Sequence, residues 1–228
     1  MPLSMKKYTE KAALIEKKAY PLEEAAALLT QVSTTKFDGT AEVHVVLHTD
    51  PLQGDQQVRS TVGLPHGTGR DVRIAAIVPD DLAKDMIAAG AVKAGETNLI
   101  KEIEKGDLDF DIIVAVPGVM KSLGKVAKTL GQKGLMPSPR AGTVTNDPTR
   151  VIRELKKGRI EFRADKQGII HAVFGKISFG KEKLTENLRV LLQAILDAKP
   201  ASLKGDYIKS ITVAPTMGPG IRVDVKSI

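Results

Sequence analysis

Residues 65–78, PHGTGRDVRIAAIV, set two kinds of chain side by side. The first half is a Pro/Gly break, and VRIAAIV (72–78) is a near-continuous apolar run of strand length. A strand without polar alternation is buried on both faces, as in a parallel sheet under helices. Before the break, AEVHVVLHT (41–49) alternates instead, placing Val43, Val45 and Leu47 on one face, and VRSTVGL (58–64) is expected as its neighbour. Ahead of these, residues 5–18 and 21–32 carry helical patterning, the second with Pro21 and two acids at its start. After the break, DDLAKDMIAAG, ETNLIKEIEKG and TRVIRELKKG (149–158) read as helices around a second buried strand, FDIIVAV (110–116). From Arg159 the first pattern returns. RIEFR and IIHAVF flank the turn ADKQG as an expected hairpin, KEKLTENLRVLLQAIL is a long amphipathic helix, and YIKSITV and IRVDV close the chain as strand–loop–strand.

The expected fold is therefore α/β in the broad sense (α+β), in two domains. A split terminal α+β domain with an antiparallel sheet, residues 1–67 plus 159–228, is interrupted by an inserted three-layer α/β Rossmann-like domain, residues 68–158. The breaks near 65–70 and 157–160 are the paired hinge strands of this reading.

Composition narrows the function. The 228 residues are 42% hydrophobic, enough for a proper core, and contain no cysteine, which excludes disulfides, thiolate metal sites and Cys nucleophiles. No apolar run reaches membrane-span length and the first residues lack a signal-peptide core, so a cytoplasmic location is expected. The net charge is +7, with seven basic against eight acidic residues in 1–68, fifteen against twelve in 69–157, and twelve against seven in 158–228. That asymmetry favours a polyanionic partner, nucleic acid or a membrane surface. Only 4% of residues are aromatic and none is Trp, which argues against a stacking-rich single-strand binder.

Enzyme signatures fail on their spacing. GVMKSLGKV (118–126) has five residues between its glycines and a Val after Lys125, where a phosphate loop needs four residues and a hydroxyl. The Gly-x-Gly of HGTGRDV precedes its strand, whereas the dinucleotide fingerprint follows one. His44 and His48 share a strand face, His66 and His171 are distant in sequence, and no clustered carboxylates accompany them as a metal site would require. No nucleophile–base pair is visible, and no catalytic residue, cofactor or metal is expected.

Two loops point to RNA instead. TTKFDGT (34–40) offers Lys36 for phosphate, Phe37 for a ribose or base, and hydroxyls for a 2′-OH, although it also fits an ordinary loop with Phe37 in the core. APTMGPG (214–220) is too long and too rich in Pro and Gly for a tight turn. Prolines lower its ordering cost, glycines permit close backbone approach, and Thr216 and Met217 stand at its tip. Met217 could alternatively plug the core. Basic residues gather at Arg153, Lys156, Lys157, Arg159, Arg163 and Lys166, and more loosely at Lys121, Lys125, Lys128, Lys133 and Arg140.

TTKFDGTAEVHV, RSTVGLPHGTG, LGQKGLMPSPRAGTV, GRIEFRADKQGIIH, GKISF and TMGPGIRVD, in this order, resemble the L-one family of stalk proteins of the large ribosomal subunit in its bacterial form. The chain departs from the family's usual Gly, Pro and Asn at Ala127, Gln132 and Ser138. The resemblance implies a two-domain, non-enzymatic protein that binds large-subunit ribosomal RNA at the mobile stalk through its terminal domain. It further implies assistance to deacylated tRNA leaving the exit site, repression of translation of its own mRNA, residence in the cytoplasmic large subunit, and a monomeric free state. By resemblance Lys36, Phe37, Thr40, Ser210, Thr216, Met217 and Gly218 form the RNA-contact core, and Arg163, Asp165, Lys166 and His171 a second contact region. A free RNA-binding regulator and a nucleotide-dependent enzyme built on the middle domain are the alternatives.

Overall fold

The structure, a computed structural model, describes residues 3–50, 53–139 and 141–227, so Arg140 lies outside the described residues. Its contacts divide the chain into one unit of Met1–Gly69 with Ile160–Ile228 and another of Arg70–Arg159.

The first arm of the terminal unit holds α1 (Leu3–Ala12), α2 (Leu22–Val32), β1 (Thr40–Leu47) and β2 (Arg59–Gly63). Helix α1 stops at Ala12, short of the expected 5–18, and the following backbone is tied elsewhere, the Glu16 N–H donating to the Tyr20 hydroxyl at 2.9 Å. The inserted unit follows with β3 (Ile74–Ile77), α3 (Ala83–Ala88), β4 (Lys93–Gly95), α4 (Thr97–Glu104) and β5 (Ile112–Ala115). It continues with the short helices α5 (Met120–Leu123) and α6 (Ala127–Gln132), and α7 (Pro148–Lys156). Pro148 opens α7, Asp147 caps it by accepting from the Arg150 N–H at 3.1 Å, and Arg153 and Lys156 sit at its negative end. The second arm returns as β6 (Arg159–Arg163), β7 (Ile169–Lys176), α8 (Gly180–Asp197), β8 (Ile208–Pro215) and β9 (Ile221–Val223).

In the terminal unit four strands pair in the order β7-β1-β8-β9, with β1 antiparallel to both β7 and β8. Alternation in β1 sends Val43, Val45 and Leu47 inward, where Ile170, Phe174, Ile211 and Val213 join them. Helix α8 covers this core with Leu184, Leu188, Leu191, Leu192 and Ile195, all fully buried, and α2 adds Leu29 and Val32. Each such side chain contributes about 1.5–3 kcal/mol of burial.

Two expected pairings are corrected. The 58–64 strand does not lie beside β1; it forms β2 in a separate two-stranded sheet with β6. No residue of β2 is fully buried, so it lacks the alternating apolar face that β7 and β8 offer. Nor do β6 and β7 form a hairpin ladder, since only the bridge Ala164↔Ile170 links their ends. Asp165 turns the chain there, one carboxylate oxygen accepting from the N–H groups of Gln167 (2.7 Å) and Ile169 (2.9 Å).

The inserted unit is a three-layer parallel arrangement of order β4-β3-β5. Ala75, Ile77, Ile113 and Ala115 face Leu99, Ile103, Leu123 and Leu130, while Ile74, Ala76 and Val114 face Met86, Val151, Ile152 and Leu155. The segment 118–126, weighed above as a phosphate loop, is a broken helical run around α5 whose Gly118 and Gly124 are not left-handed.

Candidate nucleic-acid interface

Register brings the two RNA-like loops together. Ala41 lies opposite Pro215, so the 33–39 segment entering β1 and the 216–220 loop leaving β8 meet at one end of the sheet. The Thr34 hydroxyl donates to the Met217 carbonyl at 2.7 Å, and the Thr216 N–H donates to the Thr40 carbonyl at 3.0 Å. The Thr216 hydroxyl donates to Glu42 Oε1 at 2.6 Å, leaving its lone pairs to accept from a ligand hydroxyl. Lys176 Nζ reaches the Thr40 hydroxyl at 3.0 Å, and Thr35 donates to the Phe37 carbonyl at 2.9 Å. Asp38 accepts from the hydroxyl (2.7 Å) and N–H (3.0 Å) of Ser178, and the hydroxyl bond above all holds its carboxyl below the usual carboxylate range.

Neither loop hides its apolar side chain. Phe37 is 69% exposed and Met217 62%, so the core positions that both residues also fitted are not adopted. They line a cavity of about 250 Å³ together with Thr34, Thr40, Lys176 and Thr216. Gly218 is packed so closely that a Cβ would stand 2.5 Å from Pro215 Cγ and 3.1 Å from the Val32 carbonyl oxygen. Lys36 is exposed beside this group, and Ser210 lies further along β8, opposite Val46.

Arg163, Asp165, Lys166 and His171 form a second group. Arg163 and Lys166 are exposed and, with Gln57 and Asp165, line a cavity of about 370 Å³. Asp165 stands 3.6 Å from His171 Nε2, and the Ile169 N–H, followed by that of Gln167, lowers its pKa. His171 Nδ1 lies 2.8 Å from His44 Nδ1, so one ring donates and the other accepts. Burial, reinforced by His171, pushes the His44 pKa down, against the nearby Glu42.

Glu42 and His44 were not among the expected contact residues, and Thr34 was expected only as one of the hydroxyls of the 34–40 loop, not as the tether on Met217. Alternation in β1 places Glu42 and His44 opposite the buried Val43 and Val45, a signal the sequence did contain. Pairing of His44 with His171 and with Thr212 comes only from register.

The basic stretches divide. Within the inserted unit Lys156 pairs with Asp71 (2.6 Å) and Arg159 with Glu154 (2.7 Å), so these two stabilise their own unit. Lys121, Lys125, Lys128 and Lys133 are exposed and form no ion pair among the described residues. Among the described residues no three His, Asp or Glu side chains gather as a metal cage, and no helix is long and apolar enough to cross a membrane.

The signature of the ribosomal protein L1p/L10e family matches residues 29–219. The large ribosomal subunit protein uL1 of Thermosipho melanesiensis is 46% identical over 226 residues, covering 98% of this chain and 97% of the relative. With the signature running from the first loop through the inserted unit to residue 219 in the second, and the relative matched nearly end to end, the chain belongs to the ribosomal protein L1p/L10e family.

Proposed function

We propose that the chain is a non-enzymatic structural component of the large ribosomal subunit that binds large-subunit ribosomal RNA through its terminal unit. Lys36, Phe37, Thr40, Ser210, Thr216, Met217 and Gly218 form the principal contact surface, and Arg163, Asp165, Lys166 and His171 the second. One observation carries the reading. Phe37 and Met217 are held outward, 69% and 62% exposed, on loops tied by Thr34 and Glu42. Exposed apolar side chains on a rigid polar frame suit ribose and base faces, while the hydroxyls suit a 2′-OH. The inserted unit, with its exposed lysines, joins the same ribonucleoprotein at the mobile stalk and assists deacylated tRNA leaving the exit site. Free protein occupies the same surface with its own mRNA and represses translation.

Crosslinking in cells, followed by sequencing of the bound RNA, tests the principal claim. Large-subunit ribosomal RNA attached at the 34–42 and 210–218 segments is the expected result, and attachment confined to the inserted unit overturns it. A reporter carrying the chain's own leader, with and without added protein, tests repression. Excising residues 70–157 and bridging the ends tests the division of labour, the expected product being a folded RNA binder.

A further inference from the structure

Beyond the two contact groups, a cavity of about 600 Å³ lies between the N-terminal segment and strand β9. It is lined by Tyr8, Lys17, Arg222 and Lys226 over apolar groups that include Ile15 and Val223. Pro219, Gly220 and Ser210 also line it, so the cavity is continuous with the loop that presents Met217.

Its walls are fixed by backbone bonds. The Tyr20 N–H donates to the Arg222 carbonyl at 2.9 Å and the Asp224 N–H to the Tyr20 carbonyl at 2.8 Å, stitching the segment that carries Lys17 to the edge of β9. Charges in the cavity are unevenly satisfied. Glu16 is paired with Lys18 at 2.8 Å, whereas the side chains of Lys17, Arg222 and Lys226 are exposed and form no ion pair among the described residues. Asp224 is the remaining carboxylate, with Oδ1 accepting from the Lys226 N–H at 3.0 Å. Tyr8 is 47% exposed, an aromatic face at the rim. Register extends the surface further: Arg222 lies opposite Thr212, Thr212 opposite His44, and His44 opposite His171, one row across all four strands.

We infer that this groove is an additional RNA subsite, in which one strand leaving the Met217 loop lays its phosphates along Arg222, Lys17 and Lys226 and stacks a base on Tyr8. The cavity has room for a nucleotide, and cations beside an exposed ring are the combination that tracks a single strand. A protein partner would require the three cations to meet acidic side chains, and nothing in the apolar floor demands one. The inference rests on the RNA-binding reading above, which supplies the strand.

The test uses the full chain and the large-subunit ribosomal RNA fragment that it protects from nuclease. Arg222→Ala and Lys17→Ala should each reduce the slope of log affinity against log salt by about 0.7, one phosphate on a single strand, and Arg222→Lys should restore it. Tyr8→Leu should weaken binding at least about fivefold, the loss of one stacked base. A photoreactive phenylalanine analogue at position 8 should crosslink to RNA in intact large subunits. Thermal melts of the same variants should match the parent, since all three positions are exposed. Parental affinity and slope in these variants, with Met217→Ala still weakened, would overturn the subsite and leave the principal RNA surface standing. Parental affinity in Met217→Ala as well would overturn both, and a crosslink from position 8 to protein alone would replace RNA with a protein partner.

Discussion

In the unit Arg70–Arg159 both faces of the sheet are covered, Ala75 and Ile77 packing under one set of helices and Ile74 and Ala76 under another. In the other unit only one face of β7-β1-β8-β9 carries a core, and the opposite face presents Glu42, His44, Thr212, His171 and Arg222. A sheet covered twice gains burial but leaves only loops and helix backs for partners. A sheet covered once keeps a stiff polar plate whose side chains are spaced by strand geometry. The difference favours the proposal that RNA is recognised by the terminal unit, on backbone that the core already holds still.

Core substitutions probe this contrast with the largest effect. Leu188→Ala and Leu130→Ala each truncate a fully buried leucine, one per unit, and each should cost roughly 2–5 kcal/mol of its unit's stability. Only Leu188→Ala should also lower the fraction of chain competent to bind RNA. Denaturant titrations with a probe in each unit, alongside RNA titrations, separate the two, and equal loss of binding would break the contrast.

At the recognition surface the expected costs fall on binding rather than folding. Met217→Ala should weaken RNA affinity by about 1.5–3 kcal/mol, the value of one buried apolar side chain, with an unchanged melting temperature. Thr34→Val removes the tether on the Met217 carbonyl and should cost about 0.5–1.5 kcal/mol, one net hydrogen bond, with Thr34→Ser recovering most of it. A fall in melting temperature that matched the loss of affinity would make the loops part of the core.

The smallest effect is the most selective. All four histidines, at 44, 48, 66 and 171, belong to the terminal unit. Burial and His171 hold His44 below its ordinary value, so the unfolded chain takes up a proton near about pH 6.5 that the folded one resists. The unfolded state then binds more protons, and stability rises with pH through that range and falls on acidification below it. Hydrogen exchange at about pH 5.5 and 7.5, corrected for intrinsic rates, should show a modest loss of protection around β1 and β7 that His44→Gln removes. No histidine titrates in the inserted unit, which should not respond.

The sequence carried local information well. Alternation marked β1, unbroken apolar runs marked β3 and β5, and leucine spacing marked α8 almost to the residue. Pairing was harder, because a strand's partner depends on distant chain. VRSTVGL and RIEFR each look able to join a neighbour in sequence, yet they pair with each other across the insertion. Strand β4, three residues long, is too short to show any period and was not anticipated. At the interface the loops announced themselves through composition, Phe37 and Met217 among Gly, Pro and hydroxyls. Glu42 did not, nor did the tethering role of Thr34, since these come from contacts with Thr216 and Met217 more than 170 positions away.

The place of β1 between β7 and β8 also governs the order of events during synthesis. Residues 70–159 complete their sheet from neighbouring sequence and are free to fold as soon as they emerge. Strand β1, made earlier, has no partner until β7 and β8 appear, roughly 6–35 s later at about 5–20 residues per second. Throughout that interval Val43, Val45 and Leu47 have no sheet to join, and the loop that will hold Met217 has not been made. A chain interrupted before Pro215 therefore carries a finished insertion and lacks the 216–218 half of the proposed RNA surface. If the proposed surface holds, truncated products are poor competitors for the RNA, and the nascent first arm is the segment that a chaperone has most reason to shield.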